Sequence, residues 1–164
     1  MASYSSIVYK PCGDYPGGTA TCNNFVDYAE LYPISEPVES GDVVVMDREA
    51  EGFEVKRSTM PYDTSVVGIV STKPAVLIEG SSMIFMNNGF ALNQTKPAVA
   101  LAGRVPTKVT DENGMIKAGD LITTSNKKGY TMKCKKPIDC IGAIAGISLE
   151  NQDEKEDKIM VMVK

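Results

Sequence analysis

The sequence predicts a mainly β protein, a sandwich or barrel of short strands with little helix. Three observations predict it. Short runs rich in Val, Ile, Thr and Met recur along the chain, and such residues suit a pleated, half-buried surface. Gly, Pro, Asn and Asp separate the runs at roughly the 8–12-residue spacing of all-β sandwiches and barrels. No apolar pattern of helical period is sustained long enough for a helix bundle.

The elements follow in order. Residues 1–24 read as an N-terminal arm and a cysteine-stapled loop, and 25–164 as the β-rich domain. In the arm, Ser5, Ile7 and Tyr9 lie on a short polar/apolar strand suited to adding to a neighbour's sheet edge. PCGDYPGGTATCNN is a turn-rich loop. FVDYAELYPIS (25–35) is the best place for one or two helical turns, with Pro33 limiting their extension. The strands expected after it are VVVMD (43–47), FEVKRS (53–58), SVVGIVS (65–71), AVLIEG (75–80), SMIFMN (82–87), AVALAGRVPTKV (98–109), DLITTS (120–125), YTMKC (130–134), IGAIAGIS (141–148) and KIMVMVK (158–164). Asp111-Glu112-Asn113-Gly114 reads as a hairpin turn, and 150–158 as a charged hairpin loop.

An internal repeat predicts two related lobes. Gly41-Asp42-Val43-Val44 recurs as Gly119-Asp120-Leu121-Ile122, each a tight turn in which glycine takes positive φ and aspartate caps. An in-strand glycine follows each: Gly68 after the first, and Gly142, then Gly146, after the second. Such a glycine marks a bulge or a close backbone approach.

Composition excludes much. The 164 residues carry 43% hydrophobic and 23% charged residues, a globular balance, with a formal net charge of −4. An acidic chain is not a nucleic-acid binder of the basic-stripe kind. No run is long and apolar enough to insert in a membrane. With no histidine, the usual neutral-pH base, the His-dependent triads and the commonest metal ligand are missing. No metal, no cofactor and no conventional enzymatic site is therefore expected.

Four cysteines form two local pairs, neither of them CxxC. Cys12 and Cys22 enclose the Gly/Pro-rich loop, and Cys134 and Cys140 enclose a lysine-rich turn. Two local disulfides fit best and imply an oxidising setting, extracellular or on a virion surface. Buried free thiols and a single four-ligand metal site are the alternatives, the latter disfavoured by the wide spacing. Lys127, Lys128, Lys133, Lys135 and Lys136 cluster. They suit a solvated strand edge that deters pairing, or an anion- or glycan-binding patch. Asp27 and Glu30, three apart, share a face if their segment is helical. Paired carboxylates do acid–base work when burial splits their pKa values, but N-terminal helix charge and capping is the favoured explanation.

The ordered motifs run Asp27-Tyr28-Ala29-Glu30, Pro37 to Val44, Arg57-Ser58-Thr59-Met60-Pro61-Tyr62-Asp63, Val67-Gly68-Ile69-Val70-Ser71, Leu101 to Val109, Ile116 to Ile122, and Gly129-Tyr130-Thr131-Met132-Lys133 with Ile141-Gly142. Over about residues 25–149 this series resembles a domain at the C-terminal ends of bacterial surface and phage fibre-like proteins. It is similar, more distantly, to the intramolecular-chaperone autoprocessing domains of phage tail appendages. The resemblance implies a β-clip-like domain on a trimeric fibre, with a role in its assembly. It also implies, for some relatives, a backbone self-cleavage, with Asp27 and Glu30 matching the acidic residues. No stalk precedes residue 25, so self-cleavage is not expected of this chain. The expectation is a structural module that pairs with itself as a homo-oligomer, trimer or filament. Self-cleaving chaperone and carbohydrate- or anion-binding module are the alternatives.

Overall fold

A computed structural model describes residues 27–71, 73–80, 82–85, 95–153 and 157–164. The arm residues Ser5, Ile7 and Tyr9 lie outside the described residues. The strands are β1 (Asp27–Leu31), β2 (Val43–Met46), β3 (Val55–Arg57), β4 (Val66–Ser71), β5 (Val76–Glu79), β6 (Ser82–Phe85), β7 (Ala98–Lys108), β8 (Leu121–Thr124), β9 (Thr131–Lys133), β10 (Ile144–Ser148) and β11 (Lys158–Val163). They form one curled, largely antiparallel sheet in the order β3-β2-β4-β7-β11-β10-β8-β9. β1 lies between β7 and a parallel β5, and β6 pairs with β5. A short 3-10 helix, Pro137–Cys140, is the helix among the described residues.

The segment expected to be helical is strand β1. Five residues gain too little from helical hydrogen bonds to offset nucleation, whereas β1 finds a ladder on both edges. The Asp-Glu-Asn-Gly turn is also not a hairpin. The Gly114 amide donates to Asp111 O at 2.6 Å. However, β7 pairs with β1, β4 and β11, and β8 with β9 and β10, so the turn sits on a connection between strands that do not pair.

The two lobes are real, and their correspondence is tighter than the motifs alone suggest. In the first turn the Glu39 amide donates to Asp42 Oδ2 at 2.7 Å and the Asp42 amide to Glu39 O at 3.1 Å. In the second, the Lys117 amide donates to Asp120 Oδ2 at 2.8 Å and the Asp120 amide to Lys117 O at 3.0 Å. Gly41 and Gly119 take φ of 84° and 90°. β2 then pairs with β4 as Val43↔Ile69, Val44↔Gly68 and Val45↔Val66. β8 pairs with β10 as Leu121↔Ile147, Ile122↔Gly146 and Thr123↔Ile144. The register slips at the same step in both.

The partner of Gly68 is therefore Gly146, not Gly142. Gly146 follows Asp120 at the same distance along the chain as Gly68 follows Asp42. Gly142 instead holds a turn at φ 79°. A Cβ on Gly68 would press on Ala100 O and Val99 Cγ1, and one on Gly146 on Met162 O and Val161 Cγ1. Both glycines let a backbone cross closely at a bulge.

β7 serves both copies. Its first half pairs with β1 and β4, and its second half with β11. The register with β1 slips at Leu101, and Gly103 takes φ 105° where the roles change. The two copies build two core clusters, and the second also takes in Ile69 and Ala100 from the first copy. The first gathers Tyr32, Val38, Val44, Val55, Val70 and Val99. The second gathers Val105, Val109, Ile116, Ile122, Ile159 and Val161 among others. Val38 and Ile116, Val44 and Ile122, and Val99 and Val161 are repeat equivalents.

The two ends of the main strand order, β3 and β9, are met in the same way. Ile34 bridges Val55 beside β3, and Val109 bridges Thr131 beside β9. Covering an edge removes the template for uncontrolled pairing.

Of the two disulfides expected from the cysteine spacing, the described residues contain one. Cys134 and Cys140 form it, closing the short helical loop. The expected bond between Cys12 and Cys22 falls on residues outside the described ones: Cys12 and Cys22 both lie in the N-terminal segment before residue 27. The loop between Cys134 and Cys140 is small, so the gain from closing it is modest. Reduction should cost about 2 kcal/mol by chain-entropy arithmetic, read as a lower urea midpoint for the reduced, alkylated chain.

Candidate functional site

Asp27 opens β1 and is fully buried. On a strand, alternate residues share a face, so Asp27 lies with Ala29 on the inward side. Neither carboxylate oxygen has a hydrogen-bond partner. The Ser71 hydroxyl and the Ala75 amide are its polar neighbours, and that amide donates to the Asp27 main-chain oxygen at 3.1 Å. Burial raises the Asp27 pKa above its ordinary value of 3.8, and the polar neighbours offset this only in part.

Glu30 does not join it. The pair would share a face on a helix, but three residues apart on a strand they point to opposite sides. Glu30 accepts a hydrogen bond from Tyr32 Oη at 3.2 Å instead. The two carboxylates predicted as a pair are thus separate groups in different surroundings.

The raised Asp27 pKa has a definite sign for stability. The folded chain keeps this proton to a higher pH than the unfolded chain, so stability falls as pH rises from near 3.8 through the folded value. Asp27→Asn should remove that part of the pH dependence and raise stability at neutral pH. Urea unfolding of both chains at pH 4 and pH 7.5 reads this as a difference that widens with pH.

A second buried centre was not visible in the sequence. Lys108 ends β7 and its Nζ bonds Asp42 Oδ1 at 2.8 Å and Glu39 Oε2 at 2.6 Å. The side chains of Lys108 and Asp42 are 8% and 0% exposed. Burial works against the Lys108 charge, but its two carboxylate partners outweigh it and raise its pKa. Gly129, at φ 76°, approaches so closely that a Cβ there would lie 2.6 Å from Asp42 Oδ1. The Val43 amide donates to Gly129 O, and the Gly129 amide to Ser58 O, both at 2.9 Å. Gly129 and Lys108 belong to the second copy and Asp42 and Ser58 to the first, so this centre ties the lobes together. The repeat equivalent, Asp120, takes a different cation: Lys133 Nζ at 2.7 Å.

The five clustered lysines are engaged in different ways. Lys127 Nζ sits 3.6 Å over the Tyr130 ring, Lys128 pairs with Glu36, and Lys133 is held by Asp120. Lys135 and Lys136 are exposed on the disulfide loop. The Met60-Pro61-Tyr62-Asp63 motif has a structural use. Tyr62 takes φ 57°, the Asp63 amide donates to Thr124 Oγ1 at 2.8 Å, and Asn113 Nδ2 donates to Tyr62 Oη at 2.8 Å. Among the described residues no group of His, Cys, Asp and Glu side chains is placed to hold a metal ion, and no helix is long and apolar enough to cross a membrane.

No family model matches the chain, and no curated protein matches it. Among solved structures it is similar to pre-mature gene product 12 of bacteriophage phi29, with a TM-score of 0.57. The shared property is the fold. Sequence identity is 11%, and the match covers 86% of this chain but 21% of the phage protein, so the chain spans about a fifth of its neighbour's length.

Proposed function

We propose that the chain is a virion-associated structural module of the phage-fibre kind, acting in the assembly of the protein that carries it. The likeness of the fold to a bacteriophage protein carries this reading. The covered edges of β3 and β9 fit a module that must avoid random association while it assembles in a defined way. A disulfide fits an extracellular or virion setting. The partner is a second copy of the chain, in a trimer or filament. Light scattering across a concentration series tests this. A defined oligomer is expected, and a monomer at the highest concentration would overturn it.

A second reading is favoured by Asp27. A buried carboxyl with no partner is costly, and such groups gather where chemistry needs them. A carboxylic acid whose burial raises its pKa above the ordinary value, beside the main chain that enters β1, is suited to one self-cutting event. Its proton would pass to the leaving amide nitrogen as the C–N bond breaks, and water would supply the hydroxyl of the new carboxyl. The module would then act as an assembly chaperone. Mass spectrometry of the chain expressed with its native upstream sequence tests it. Cutting should be lost in Asp27→Asn and largely kept in Glu30→Gln, because Glu30 faces away. A chain that stays intact under all conditions would rule the reading out.

A further inference from the structure

Two lysines outside the lysine cluster line a cavity. A cavity of about 280 Å³ opens beside the second half of β7, between the first Gly-Asp turn and the end of β4. Ser40, Ser71, Lys73 and Lys158 supply its polar wall, and Val105 and Pro106 are part of its apolar wall. Neither lysine amine has an ion-pair or hydrogen-bond partner among the described residues. Lys56, Lys108, Lys128 and Lys133 instead meet carboxylates, while Lys158 is within electrostatic reach of the exposed Glu39 without pairing with it.

The wall is built rather than incidental. Ser71 is 5% exposed, and its Oγ accepts from the Lys73 amide at 3.3 Å, on the side chain that also neighbours the Asp27 carboxyl. Gly41 lies against the Lys158 stem and Pro106: a Cβ there would meet Pro106 O at 2.9 Å and Lys158 Cε at 3.3 Å. Gly41 is also anchored, its amide donating to Val70 O and its carbonyl accepting from the Lys108 amide, both at 2.9 Å. The turn that defines the repeat thus also shapes this wall. Two lysines and two serines line one small, part-apolar space, and no acidic residue is in its lining.

We infer that this cavity binds the carboxylate end of a small organic ligand, with the anion between Lys73 and Lys158 and the apolar body against Val105 and Pro106. The carboxylate has two sources, a peptide's free C-terminus or an acidic sugar. Size separates this from simple ion attraction, because inorganic phosphate has nothing to place on the apolar wall. The site does not depend on self-cutting by Asp27, and its test reads no cleavage.

The experiment uses the full chain, labelled for amide NMR, at moderate ionic strength. The probes are acetyl-dialanine, its C-terminal amide, N-acetylneuraminic acid and inorganic phosphate. Saturable shifts at Ser71 and Val105 are expected with one or both organic acids, and whichever binds tighter identifies the source. The amide should bind at least tenfold more weakly. A Lys73→Gln/Lys158→Gln chain should lose binding, with its amide dispersion unchanged. Lys135→Gln/Lys136→Gln should bind as the parent does. Equal binding of acid and amide, equal binding of phosphate, retention in the Lys73/Lys158 double variant, or no shifts with any probe would each overturn the assignment.

Discussion

Replacing Lys108 with methionine should destabilise the fold by about 3–5 kcal/mol, the usual cost of leaving one member of a buried ion pair alone. Methionine keeps much of the stem volume, so the loss is electrostatic rather than a cavity effect. Asp42 would remain fully buried, with the Glu39 amide on one oxygen and no cation on the other. The double variant Lys108→Met/Asp42→Asn should recover much of this, since the asparagine oxygen still accepts from the Glu39 amide and no charge is stranded. Lys133→Met is the control. Its pair with Asp120 is more exposed, at 28% and 23%, and should be worth under about 1 kcal/mol. Urea midpoints of the four chains decide it. A Lys108→Met chain as stable as the parent would mean that the lobes are not joined through this centre.

The second large effect is at the paired glycines. Gly68→Ala and Gly146→Ala should each cost about 1–3 kcal/mol or more, because each new Cβ meets a main-chain oxygen and a β-branched side chain in the adjacent strand. Neither φ is positive, so crowding rather than backbone strain is the cause. Equal penalties are expected, because the two sites are equivalent in pairing and in neighbours. Gly52→Ala has open space around it and should be near neutral. Thermal unfolding of the three variants tests this. A tolerated alanine at one of the two bulges would break the equivalence of the copies.

Much of this fold was legible in the sequence because strands are marked locally. β-branched runs and the Gly-Asp turns placed β2 to β11 to within a residue or two at most ends. β1 was missed for a physical reason. DYAEL carries both helical and strand tendencies, and pairing with residues far along the chain decides between them. The repeat was visible, but Gly142 and Gly146 both fit the motif until the register of β8 on β10 separated them. At the candidate sites, Asp27 was singled out for its spacing to Glu30, whereas burial is what distinguishes it. Lys108 gave no signal, since a lysine at the end of a strand ordinarily faces water. The unpaired state of Lys73 and Lys158 is likewise a property of the assembled fold. No local motif records which lysines find acids.

The shared strand β7 has a consequence for how the chain acquires its structure. Neither copy owns a complete set of strands, so there is no linker at which one half folds first and waits for the other. β1 can meet β5 on one edge, but its other edge waits for β7 later in the chain, and the second half of β7 waits for β11. Such distant pairings slow folding, because chain entropy is lost before contacts repay it. They also make the event all-or-none. A single cooperative transition is expected, with no half-folded species. A sheet of this design reports on its own completion: until β11 is in place, the second half of β7 has no partner and the face the two build together does not exist.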